Sequence, residues 1–169
     1  IADVGFDLYI RLVGEAVAEF RGDGPPEREV KLELPIEAHL PHTYVPSERL
    51  RLEMYKRLAD VRQVDDVEQL RAELLDRYGP LPESVEALTQ IAVLRVAVRA
   101  ADIGEVTSAG SNIRFAPVAL KESAKLRINR IYPKSLYKEA AAVLLIPAPR
   151  EPGIGGKPLR NRELLDWVS

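Results

Sequence analysis

The chain has 169 residues, 46% of them hydrophobic and 30% charged, with a formal charge of -2; it can bury a core of ordinary size and carries no global field toward polyanions. The absence of cysteine excludes disulfides, thiolate metal sites and cysteine nucleophiles. With no apolar run near the roughly 20 residues of a membrane span and no secretion-signal layout, a cytoplasmic protein without membrane contact is expected.

Beginning at Ile1 without methionine, the chain reads as a piece of something longer. Phe6, Tyr9, Val13, Ala16, Val17 and Phe20 fall on one helical face, predicting a helix over 6–20. Arg21-Gly22-Asp23-Gly24-Pro25-Pro26 ends it. Val30, Leu32 and Leu34 alternate with charged residues, the period-two pattern of a half-buried strand, stopped by Pro35. Ser47 is placed to cap a helix whose stripe is Leu50, Met54, Leu58 and Val61. Asp65 or Asp66 is expected to cap the next, with Val67, Leu70, Leu74 and Tyr78 inward. Gly79 and Pro80 terminate it. A third helix over 83–102 is apolar on nearly all sides (Val85, Leu88, Ile91, Ala92, Leu94, Val96, Val98), as a central helix should be.

After Gly104 the period changes. Val106 and Ile113-Arg114-Phe115 flank Ser108-Ala109-Gly110-Ser111-Asn112, a hairpin signal. Residues 121–131 fit two templates: Ala124, Ile128 and Ile131 a helix, Leu126 and Ile128 a strand. Ala141 to Ile146 reads as a short buried strand before Pro147, and a Pro/Gly-rich loop over 149–158 leads to a last short helix. The sum is α+β, a helical core of about five to six helices with small β-hairpins packed against it.

Few residue sets are arranged for chemistry. His39 and His42 straddle Pro41 with one nearby carboxylate, Glu37, short of the three or four ligands zinc requires. Gly153-Ile154-Gly155-Gly156-Lys157-Pro158 imitates a phosphate loop but puts proline where the magnesium-binding hydroxyl belongs. Ser135 and Lys138 match Ser-x-x-Lys without the companion motifs of that hydrolase class. Two surfaces remain. Lys121, Lys125, Arg127, Arg130, Lys134 and Lys138, interleaved with Tyr132 and Tyr137, form a candidate phosphate-contacting stretch. On the helix over 66–78, Gln69, Ala72, Glu73 and Asp76 lie opposite the apolar stripe; Glu73 and Asp76 sit one turn apart, with Arg77 placed to neutralise part of the face.

Certain runs, taken jointly, carry a resemblance: Val4-Gly5-Phe6-Asp7-Leu8-Tyr9, Leu40-Pro41 with Tyr44-Val45-Pro46, Arg49-Leu50, Tyr55-Lys56-Arg57-Leu58-Ala59, Glu73-Leu74-Leu75-Asp76-Arg77-Tyr78-Gly79-Pro80-Leu81-Pro82 and Ile103-Gly104. Over residues 1–104 the chain resembles the C-terminal domain of the bacterial transcription-repair coupling factor; beyond Gly104 the likeness thins, and the tail from 147 departs from it. The resemblance implies a full protein that is an ATP-driven duplex-DNA translocase, with ATP and Mg held by a motor upstream and no cofactor in this stretch. It implies that residues 1–22 are a linker helix leading out of that motor and 23–169 a non-catalytic regulatory domain. That domain would dock on a UvrB-like module of the same polypeptide, hide the surface that binds UvrA and restrain the motor, acting indirectly on RNA polymerase and duplex DNA. Glu73 and Asp76, with Gln69 and Ala72, become the implied docking contacts, while Arg49, Tyr55, Lys56 and Arg57 hold the domain together or orient its helices. The rival expectation is an accessory nucleic-acid-binding domain using 121–138.

Overall fold

The computed structural model describes residues 29–168; the predicted helix over 6–20 and the boundary at 22 lie outside them. The described chain divides into two compact units, residues 36–96 and residues 29–35 with 97–168.

The first unit is helical. Helix α1 (Glu48–Asp60) opens at Ser47, whose hydroxyl accepts from the Leu50 amide at 3.4 Å. Helix α2 (Val64–Tyr78) opens two to three residues before the expected caps: Gln63, not Asp65 or Asp66, is the cap, and Asp66 sits in the first turn, its carboxylate accepting from the Gln63 amide at 3.2 Å. A carboxylate in the first turn satisfies orphan amides from inside the helix as well as from the cap position. Gly79 closes α2 at φ 84°, donating its amide to the Leu75 carbonyl at 3.0 Å. Helix α3 (Glu83–Ala100) follows, and the boundary between units falls within it. Leu58, Val67, Leu74, Val85 and Leu88 are almost wholly shielded from solvent and form one cluster with Leu40, Val45, Met54, Val61, Leu70 and Ala92. The predicted stripes of α1 and α2 are its inner walls. Tyr44 fastens the end of α2: its hydroxyl proton is shared by the carbonyls of Gly79 at 2.8 Å and Leu74 at 3.1 Å.

The second unit is built on one five-stranded sheet, ordered β1-β2-β3-β5-β4. Strand β1 (Lys31–Glu33) runs parallel to β2 (Glu105–Ala109); β2 with β3 (Asn112–Ala116), β3 with β5 (Val143–Pro147) and β4 (Leu136–Lys138) with β5 are antiparallel. The β2–β3 turn is only Gly110-Ser111, with Gly110 at φ 60°, the sign a tight hairpin needs at its first central residue. Residues 121–131 resolve as helix: α4 (Glu122–Ile131) turns Ile128 toward the cluster of Val118, Leu144 and Ile146 and leaves Leu126 71% exposed. A strand would have put both on one face. Ala141 and Ala142 leave the predicted strand, which starts at Val143 after a single 3₁₀ turn over Glu139–Ala141. Strand β4 carries no alternation long enough to announce itself. Helix α5 (Asn161–Val168) buries Leu164 and Leu165 and sets Trp167 edge-on to Tyr132 at 5.8 Å.

Candidate functional site

The outward side of α2 is set by its packing. Val67, Leu70 and Leu74 are buried, so at 100° per residue Gln69, Ala72 and Asp76 must face away; all three are exposed, as is Leu75 at 47%. Glu73 breaks the expected pattern. Both of its oxygens are engaged by Arg57 of α1, Nη2 to Oε2 at 2.7 Å and Nη1 to Oε1 at 3.1 Å, and Arg77 reaches Oε1 from one turn on at 2.8 Å. The acidic pair inferred from spacing is therefore one carboxylate without an ion-pair partner among the described residues, Asp76, beside a carboxylate already held by two of the domain's own arginines. Glu73 does not lie opposite the apolar stripe as expected: it is roughly 90° from the buried Val67, Leu70 and Leu74, on the flank of the helix, where α1 brings a guanidinium that no helical wheel can report.

The electrostatics follow this geometry. The Arg57 hydrogen bonds, reinforced by Arg77, hold the Glu73 carboxyl below its ordinary value against the opposing effect of partial burial. The same bond raises Arg57. A second bidentate pair, Arg71 to Glu86 at 2.6 and 3.0 Å, joins α2 to α3. Beneath the Glu73 clamp is a recess of about 10 Å³ lined by Val45, Met54, Leu74, Tyr78 and both clamping arginines; it has room for roughly one water and none for a metabolite. Tyr55 holds the domain together as expected, its hydroxyl accepting from the Leu40 amide at 2.7 Å, and Arg57 does so through Glu73. Arg49 is exposed.

In the second unit the basic stretch divides. Lys125 is turned inward, pairing with Glu122 at 2.7 Å and Glu139 at 3.1 Å, its ammonium 5.4 Å from the centre of the Tyr137 ring. It leaves the set of candidate phosphate contacts. Lys121, Arg127, Arg130, Lys134 and Lys138 are exposed. His39 and His42 are exposed in the loop before α1, and among the described residues no cluster of His, Asp and Glu is arranged for a metal. Ser135 donates to the Asn129 side chain at 3.2 Å. No described helix is long and apolar enough to cross a membrane.

The model of the TRCF domain matches residues 34–129, the span that holds the α1–α2–α3 core, the Glu73 clamp and the first hairpin. The chain belongs to the TRCF domain family. Its relatives carry the name transcription-repair-coupling factor. That of Mycobacterium bovis is 41% identical across the whole chain, that of Myxococcus xanthus 42% over 59% of it and that of Bacillus subtilis 35% over 59%. The chain spans only 15%, 8% and 9% of those proteins. A solved structure of the C-terminal domain of transcription-repair coupling factor superposes with a TM-score of 0.62, covering 83% of this chain and 87% of that one at 20% identity. The chain thus carries a TRCF domain and shares the α+β fold of that solved domain.

Proposed function

We propose that this TRCF domain is a non-catalytic regulator within a cytoplasmic, ATP-dependent DNA translocase of transcription-coupled repair. It docks on a UvrB-like module of the same polypeptide, masks the surface that binds UvrA and restrains the motor, which alone would hold ATP and Mg. Family membership supports the setting. The observation that carries the docking reading is the outward side of α2, capped at both ends, with Gln69, Ala72 and the Asp76 carboxylate exposed on it.

Asp76 supplies the available charge, and Glu73 enters only by exchange, when a cation on the partner displaces one of its two arginines. Exchange replaces one ion pair by another, so the net gain is small. That suits a latch, because a coupling of about 1–3 kcal/mol shifts populations without locking them. Asp76→Arg in the full-length protein is expected to raise UvrA binding and basal ATP turnover. Arg77→Gln, which leaves Glu73 held by Arg57 alone, is expected to strengthen docking and lower UvrA binding. Wild-type UvrA binding in a folded Asp76→Arg protein overturns the proposal.

A further inference from the structure

The stretch from Lys121 to Glu139 contains six cations and two carboxylates, within a chain whose formal charge is -2. The two carboxylates, Glu122 and Glu139, are both engaged by Lys125. Lys125 offsets one of these two charges and is itself drawn toward the Tyr137 ring, so the stretch keeps a net charge of +4 that is carried by its other five cations. Lys121, Arg127, Arg130, Lys134 and Lys138 stay exposed, with no ion pair among the described residues. On α4 the inward side is set by Ile128, with Lys125 next to it. At 100° per residue this puts Arg127 and Arg130 on the outward side, one turn apart, where they cannot avoid solvent. The three lysines extend the positive charge before and after the helix.

From this we infer that the α4 surface binds the phosphate backbone of nucleic acid, without reading sequence. The cations are strung over 18 residues of chain rather than gathered around one carboxylate-sized point, which matches a repeating line of phosphates better than a single acidic side chain. Guanidinium forks at Arg127 and Arg130 add bidentate geometry suited to phosphate oxygens. The inference is independent of docking through α2.

The test is binding of this chain to a duplex of arbitrary sequence across a salt series. Affinity should fall between about 50 and 200 mM salt by roughly 40-fold if three phosphates are contacted, with Arg127→Gln and Arg130→Gln each reducing the log–log slope by about one. Lys125→Gln, which frees two carboxylates, should weaken binding too, while Lys31→Gln, on β1 and paired with Glu33, should not. No binding at the lowest salt, or a slope that Arg127→Gln and Arg130→Gln leave unchanged, overturns the inference. So does capture of polyglutamate with no capture of duplex, which would assign the surface to an acidic protein.

Discussion

Glu73 shows how much one side chain's meaning depends on its neighbours. Its three arginine hydrogen bonds are at the surface, where such pairs contribute about 0.2–1 kcal/mol each at best. Glu73→Gln should therefore lower stability by about 1 kcal/mol or slightly more in urea unfolding, the neutral amide leaving two guanidinium groups facing each other. The pH dependence has a definite sign. Because the folded carboxyl is held below its ordinary value, its contribution is complete above the unfolded value of about 4.3 and disappears as pH falls through the lower folded value. An acid titration followed by circular dichroism should show that loss in the wild type and a shallower one in Glu73→Gln. Tyr44 makes a second test. Its hydroxyl serves two carbonyls at the end of α2, and Tyr44→Phe should cost about 1–2 kcal/mol, since those acceptors lose a donor in a partly buried setting.

Helix α2 is a short, well-bounded rod, and its limits come from chemistry at both ends. Asp66 serves the opening amides, and Gly79 takes a backbone conformation, φ 84° and ψ -165°, that side chains disfavour strongly. Gly79→Ala should destabilise by about 1–3 kcal/mol, checked by thermal unfolding, although the added methyl would meet no atom within 4 Å; the cost is conformational, not steric crowding with neighbours. The elements most legible in the sequence share this local definition. Helices α1, α2 and α3 and the Gly110 turn are each specified by residues within one or two turns of one another. Strand β4 and the helical choice at 121–131 are not. Leu136-Tyr137-Lys138 becomes a strand because β5 pairs with it, and α4 is helix rather than strand because only Ile128, not Leu126, finds an apolar partner.

Among the described residues, buried apolar side chains gather into a cluster within each unit. In the first, Leu88 and Leu74 are fully shielded, and Leu88→Ala should cost about 2–5 kcal/mol in a denaturant titration. The sheet of the second unit gathers segments far apart in sequence. Residues of β1 are 74 positions from their partners on β2, in the register Lys31↔Glu105 through Glu33↔Thr107, and no local window of sequence contains both. What periodicity reads as a strand before α1 and a hairpin after α3 is one continuous surface.

Composition, periodicity and capping residues were sufficient for the α+β class, for the inner stripes of α1 and α2 and for the exposed side on which Gln69, Ala72 and Asp76 lie, because all of these follow from local backbone geometry and the burial of apolar atoms. Charge placement was not accessible in the same way. Whether Glu73 is free or clamped by Arg57, and whether Lys125 joins its fellow cations or turns to Glu139, depends on contacts across 16 and 14 positions. Apolar side chains respond to a direction, inward or outward, which a helix period supplies; ion pairs respond to a distance between particular atoms, and folding is what sets it.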